Sequence, residues 1–464
     1  MARKLDSAAP EAGVARPPLP LTSNQLVTLH LALHHPESTL AGHDALSPDP
    51  WAPYLRSLPR TFHWHHPLTW LVRLSAEDDE GEGAVGARLR KTEVLLESLF
   101  TCLPERAQLL VRDVERRFWA DVEVLRSLLV RLSLLVSITS LAFAADVAPH
   151  LAQATSPPFP SCPTPPLRSL LWAWLNINTR CLTLHLGLGP ADGSNDFTLA
   201  PIVDFANHSP SATPVPITLP EEASARKATQ YALPATEDMV SSHAGGRKTE
   251  VLLQYGPHDD SFLFAEYGFV CWKDADGNGN RWNEARVDSL VEAMLMALPE
   301  GQGHAKKRIL EDDGYWGWVF LPCSLRTPAM MTDVSRTSRS DFTLHLEPAP
   351  AHPSYRLLAA LRLLHLPLSQ VTAWRDVLLG YSPSISAAND EATVASLLEL
   401  CDAVVATARE GREKVDEVVI QAGEVDEADA GEWAGALDSV RKLWEGQEDI
   451  AEGVRESVAE GVEF

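Results

Sequence analysis

Prolines divide this chain before any other feature does. Inside a helix a proline removes a backbone donor and clashes with the preceding turn; inside a sheet it interrupts the ladder. Pro10, Pro17, Pro18 and Pro20 leave little periodicity in residues 1–20, which read as a disordered lead-in. From Leu21 the pattern turns helical, with Leu26, Leu29, Leu31 and Leu33 on the run that Pro36 stops. Residues 49–70 are aromatic and Pro-rich, and 75–88 are a Gly- and acid-rich loop. A helical region from about 90 to 149 ends at the linker SPPFPSCPTPP, 156–166. Residues 167–186 restart as a helix and then shift toward strand chemistry. The stretch 197–209 is a short apolar segment ending in a polar turn, and 210–249 is an extended insertion rich in Pro, Ala, Ser and Glu. VLLQYG at 251–256 reads as a strand, and so does the run that ends in Tyr267-Gly268-Phe269. After about 281, helical patterns dominate. The hexapeptide KTEVLL occurs at 91–96 and again at 248–253, but its flanks differ and no period is sustained, so it is no repeat architecture.

Charge narrows the partners. With 39 Lys+Arg against 63 Asp+Glu the formal net charge is −24. No basic surplus exists to displace phosphate counterions, which argues against direct nucleic-acid binding. Basic protein segments are the favoured partners. The last 56 residues hold 17 Asp+Glu against 6 Lys+Arg, so the acidity concentrates on one terminal lobe. Six scattered cysteines form no CxxC pair, consistent with a reducing compartment. The opening MARKLDSAAPEAG lacks the apolar run of a signal peptide, and Leu132–Ala145 is too short to span a bilayer. The expectation is a soluble monomer of the cytoplasm and/or nucleus, with no membrane role, and that apolar stretch is read as a buried helix.

Three segments carry the candidate chemistry. They are Asn178-Thr179-Arg180 within WAWLNINTRC, then Asp204-Phe205-Ala206-Asn207-His208-Ser209, then Tyr255-Gly256 followed by Glu266-Tyr267-Gly268-Phe269. In this order they resemble the SET-domain methyltransferases of the RuBisCO large-subunit methyltransferase type. That family's pattern runs W-A-W…[ST]-R, D-x-x-N-H-S, Y-G and a closing Y-G-F. Upstream, DPWAPYLRSLP resembles the family's W-x-P-Y-L-x-x-L-P segment. The resemblance covers roughly residues 21 to 440.

The resemblance implies an α+β fold. A SET-type β fold would occupy 21–272, with a helical insertion at about 60–166. A helical C-terminal substrate-binding domain, all-α and with an acidic tail, would occupy 285–464. It further implies a protein-lysine N-methyltransferase that uses S-adenosylmethionine on a basic ribosomal protein, translation factor or histone. By resemblance Tyr255 is the catalytic tyrosine. Tyr267 lines the lysine channel and borders the cofactor. Asn207, His208 and Thr179 contact the cofactor, and Arg180 and Asp204 lie near the substrate lysine. The chemistry is coherent: in-line methyl transfer needs an aligned neutral amine and a dry site, and a phenol can donate and accept without charge at pH 7.

The sequence also departs from the family. No Gly-rich opening of the G-R-G-L/I kind stands ahead of Leu21, so the expectation is an N-terminally truncated SET domain. The alternative function is a catalytically inactive SET-fold module that binds a basic segment. A third reading is transfer to a histidine. Asp259-Asp260 stand where the family often has Ser-Asn. Asp274-Ala-Asp276-Gly-Asn278-Gly279 opens like a calcium loop but lacks Glu at position 12. His30 and His34, and the cluster His63, His65 and His66, have no companion acids for a zinc set, so no metal is expected.

Overall fold

Among the described residues, Thr22 starts the first helix, α1 (Ser23–Leu33), through a reciprocal cap. Its hydroxyl accepts from the Gln25 N–H, and the Gln25 side chain returns to the Thr22 N–H. The structure, a computed structural model, describes residues 21–34, 51–62, 64–74, 84–146, 165–183, 197–212, 250–271, 279–299, 301–316, 342–346, 348–422, 425 and 427–464. Helix α2 (Ala84–Thr101) and the long α3 (Glu105–Asp146) realise the expected helical region. On α3, Val111, Val114, Phe118, Val122, Leu125 and Leu129 recur at three- and four-residue spacing, and all are buried. The side chains of 132–146 lie outside the described residues, and with them the expected burial of Leu132–Ala145. Helix α4 (Leu167–Arg180) follows the proline linker and leads into strand β1 (Leu182–Thr183), which pairs antiparallel with β2 (Phe197–Thr198).

Two compact units emerge. The smaller comprises residues 1–60 and 116–201, the larger 61–115 and 202–464. In the smaller, Asp121 on α3 accepts from Asn24 Nδ2 (2.8 Å), Gln25 Nε2 (2.9 Å) and Trp174 Nε1 (2.9 Å). One carboxylate thus ties α1 and α4 to α3. Phe118 meets Trp174 edge-on at 5.7 Å.

The larger unit holds β3 (Asn207–His208), parallel to β4 (Leu252–Leu253), and helix α5 (Asp260–Tyr267). Strand β5 (Glu284–Arg286) leads into α6 (Asp288–Met296) and α7 (Gln302–Asp312). Strands β6 (Thr343–His345) and β7 (His352–Pro353) then complete an antiparallel sheet in the order β5-β6-β7. Helices α8 (Tyr355–Leu364), α9 (Val371–Leu378), α10 (Ala387–Ala422) and α11 (Glu427–Ala459) finish the chain. The main core joins Ala285 and Leu344 of the sheet to Leu357, Leu361, Trp374, Leu397, Leu400 and Ile450 of the helices. Helices α10 and α11 form an antiparallel hairpin. Trp444 on α11 donates through Nε1 to the Cys102 carbonyl (2.8 Å), fastening the hairpin to the end of α2.

Two sequence expectations are corrected. The region beyond residue 284 is not all-α, because β5, β6 and β7 build a sheet inside it. Strands of two or three residues are shorter than the four to eight over which alternation is legible. The run before Tyr267 is a helix, not a strand. Its aromatic residues favour strands locally, but an Asp259 cap and a left-handed Gly268 bracket one short helix instead. Of the KTEVLL copies, the first lies within α2 and the last two residues of the second form β4. The architecture is mixed and mostly helical. No helix among the described residues is long and apolar enough to cross a membrane.

Candidate active site

Strands β3 and β4 pair with Asn207 opposite Leu252 and His208 opposite Leu253. The Ser209 N–H extends the ladder to the Leu253 carbonyl (3.0 Å). This register places the residues after β4 beside His208. The Tyr255 N–H donates to His208 Nδ1 (3.1 Å), and the Tyr255 hydroxyl donates to the Ala206 carbonyl (2.8 Å). Tyr255 is therefore fixed at both ends by one three-residue segment. Because Nδ1 accepts, the neutral imidazole carries its proton on Nε2. That atom is buried and has no hydrogen-bond partner among the described residues. Burial, helped by the nearby His258, pushes the His208 pKa down to about 4, so the ring stays neutral at physiological pH.

Helix α5 delivers the second tyrosine. Asp259 caps its start by accepting the Phe262 N–H (2.8 Å), the service a Ser would render at this position. Gly268 ends it at φ 81°, with its N–H on the Phe264 carbonyl. A Cβ there would lie 2.8 Å from the His65 carbonyl oxygen, so both conformation and space require glycine. The fully buried His66 accepts the Leu68 N–H at Nδ1 and faces the Glu266 carbonyl through Nε2 (3.1 Å). His66 is thereby a satisfied structural histidine, and His63 lies outside the described residues.

The result is an aromatic cluster. Tyr255 stands 5.2 Å from Tyr267 and 5.2 Å from His208 between ring centroids, and Phe269 is 6.1 Å from Tyr267. Burial, then the Glu266 charge and Tyr255, push the Tyr267 phenol up, keeping it uncharged.

The other sequence candidates sit as follows. Asn207 is exposed and donates from Nδ2 to Glu250 (2.6 Å). Asp204 is half-buried in the one-turn helix Val203–Phe205. Thr179 and Arg180 belong to the smaller unit, at the C-terminal end of α4. The Thr179 hydroxyl donates to the Leu175 carbonyl of its own helix (2.8 Å). The calcium-like positions 274–278 and most of the 210–249 insertion lie outside the described residues.

The sequence reading missed a buried polar network beneath α5. Asp260 accepts from Asn283 Nδ2 (2.7 Å), Asn280 Nδ2 (3.0 Å) and the Cys271 N–H (3.1 Å). Arg106 pairs with Asp259 and, at 3.6 Å, with Glu284. Burial outweighs Arg106 at Glu284, and Asp259 and Asp288 add to it, so the carboxyl is pushed up to about 7. Spacing alone could not reveal a pair such as Arg106–Asp259, whose members lie far apart in the chain.

No protein-family model matches the chain. It is 29% identical over 240 residues to the mouse (Mus musculus) SET domain-containing protein 4, covering 51% of this chain and 44% of that protein. It is 29% identical over 164 residues to the ribosomal lysine N-methyltransferase set11 of Schizosaccharomyces pombe, covering 35% and 34%. A Saccharomyces cerevisiae protein, ribosomal lysine N-methyltransferase 2, is 30% identical over 148 residues, covering 30% and 28%. The matched stretch spans under half the length of each of these curated relatives. The likeness to SET-domain protein-lysine methyltransferases first read from the motifs is shown by these relatives.

Proposed function

We propose that this chain is an S-adenosylmethionine-dependent protein-lysine N-methyltransferase, with a SET-type fold in residues 21–272 and a substrate-binding lobe in 285–464. The observation that carries the reading is Tyr255, held at its N–H by His208 and at its hydroxyl by Ala206, 5.2 Å from Tyr267. The names of the relatives supply the reaction class. The residues present fit the cofactor: His208 offers a buried, unpartnered Nε2–H donor, and stays neutral where a cationic sulfonium would bind. The faces of Tyr255, Tyr267 and Phe269 suit a cation.

S-adenosylmethionine supplies an electrophilic methyl group on a sulfonium. The chain's own residues prepare the nucleophile. The aromatic walls exclude water, and desolvation lowers the pKa of a lysine entering between them, releasing its proton to solvent. Tyr255 orients the neutral amine, and Tyr267 shapes its channel. Held so, the amine would present its lone pair to the methyl group that S-adenosylmethionine would supply. Asn207, His208 and Thr179 are the proposed cofactor contacts; Arg180 and Asp204 are the proposed substrate contacts. The proposed partner is a basic protein, and the proposed setting is the cytoplasm or nucleus. In the α10–α11 hairpin, Arg409, Arg412, Arg441, Lys442 and Arg455 are each paired with an acid of the same hairpin. The acidic surplus of that lobe thus remains available to a basic surface.

The relatives' names make ribosomal proteins the first substrates to test. Labelled cofactor incubated with a ribosomal-protein fraction should yield methyl-lysine, and Tyr255→Phe should reduce the rate by ~100-fold. Absence of transfer by the native chain to ribosomal, translation-factor and histone fractions would refute the proposal.

A further inference from the structure

Two histidines bracket Tyr255 along the chain, and only His208 belongs to the motifs. The other, His258, comes two residues after Gly256, and its N–H donates to the Gly256 carbonyl (2.9 Å). Its ring folds back over that glycine. A Cβ built on Gly256 would lie 2.4 Å from His258 Nε2 and 2.8 Å from its Cδ2. The same ring stacks on Phe262 of α5, with centroids 4.2 Å apart and planes inclined by 23°. Phe262 in turn stands 6.5 Å from Tyr267. The backbone of His258 is also held, because its carbonyl accepts from Asn280 Nδ2 (2.9 Å), an amide that reaches Asp260 as well. The ring therefore has little freedom to retreat from Gly256 without losing its stack.

We propose that His258 is a positioning residue for Tyr255: its ring, braced on Phe262, presses on Gly256 and fixes the peptide that carries the tyrosine relative to Tyr267. His258 need not touch substrate or cofactor in this role. The inference rests on the reading that Tyr255 orients the amine. It explains why the position after Tyr255 is glycine: a methyl group there would displace the imidazole.

The test uses the full chain as wild type, His258→Leu, Gly256→Ala and the double variant Gly256→Ala/His258→Ala. Two readouts are taken: kcat and KM for methyl transfer to a ribosomal-protein fraction, and the NMR signals of the Tyr255 ring, identified by difference from Tyr255→Phe. His258→Leu and Gly256→Ala should each lower kcat about tenfold with KM little changed, and each should move the Tyr255 signals. In the double variant the two losses should not multiply: with the imidazole gone there is nothing for the new methyl group to displace, so kcat should fall only about as far as in His258→Leu. Tyr255 signals unmoved by His258→Leu would overturn the proposal. So would a double variant whose loss is the product of the two single losses, since the alanine would then act without the imidazole. If Tyr255→Phe leaves transfer unchanged, the proposed function fails; the ring signals still decide the positioning role.

Discussion

Replacing Glu284 with glutamine should stabilise the protein in alkaline solution and do little in acid. The side chain is mostly buried, and its nearest cations are Arg286 Nε at 3.3 Å and Arg106 Nη2 at 3.6 Å. Arg106 is shared with Asp259, and Asp259 and Asp288 both oppose ionisation of Glu284. Its pKa rises from 4.5 to about 7. At about 1.4 kcal/mol per pKa unit, the ionised carboxylate costs the fold on the order of 3 kcal/mol. Because the folded-state pKa is raised, the native state binds more protons than the unfolded one between these values. The contribution of this carboxyl to stability is therefore complete below about pH 4.5, declines as pH climbs, and is lost above about 7. Glutamine keeps the shape and one oxygen for the arginines while removing the charge, and Arg106 retains Asp259. Urea unfolding followed by tryptophan fluorescence, at about pH 5 and about pH 8, measures the effect. The variant should gain about 1–3 kcal/mol over wild type at the higher pH and roughly nothing at the lower. A gain independent of pH, or a loss at the higher pH, would refute burial as the dominant influence on this carboxyl.

Other expectations follow from the same geometry. Gly268→Ala places a Cβ at φ 81° and 2.8 Å from the His65 carbonyl, and should cost about 2 kcal/mol or more in urea unfolding. A cost below about 0.5 kcal/mol would contradict the close approach. In NMR titration His208 should protonate at about pH 4, not near 6.5, and the Tyr255 amide signal should shift with it as Nδ1 ceases to accept. A midpoint near 6.5 would show that the ring is solvated and the contact absent. Asp121→Ala removes the acceptor shared by Asn24, Gln25 and Trp174; hydrogen exchange should quicken first in α1, and unchanged protection there would count against the knot.

What was legible in the sequence had a local cause. The leucines from Leu21 onward announce α1, and the prolines at 156–166 place the break between α3 and α4. What was illegible depended on contacts distant along the chain. The sheet β5-β6-β7 joins strands from either side of α6 and α7, each too short to show alternation. The segment 260–267 carries three aromatic residues, which favour strands locally, and its true signal is its ends: Asp259 as cap and Gly268 as left-handed stop. Both residues stand in the sequence, but Asp259 departs from the family pattern and Gly268 falls in a run with strand chemistry.

The site follows the same division. The order of Tyr255, Tyr267, Asn207 and His208 could be read directly, but not the contacts that make order into geometry. Tyr267 faces Tyr255 because Gly268 turns under the His65 carbonyl and because Arg106, Asp259, Asp260, Asn280 and Asn283 anchor the start of α5. Buried charge is costly, and a network with three carboxylates and one principal arginine is a poor way to gain stability. Its effect is to fix where one short helix begins and hence where its last residue points. If Tyr267 must meet Tyr255 for transfer, loosening the start of α5 should disturb the alignment without touching either ring. Arg106→Met is the direct trial: it leaves Asp259 buried without its cation and Glu284 with Arg286 alone, so it should lower stability, raise the Glu284 pKa further and move the Tyr267 ring signals. Tyr267 signals identical to wild type in the folded variant would show that the helix finds its place without the network.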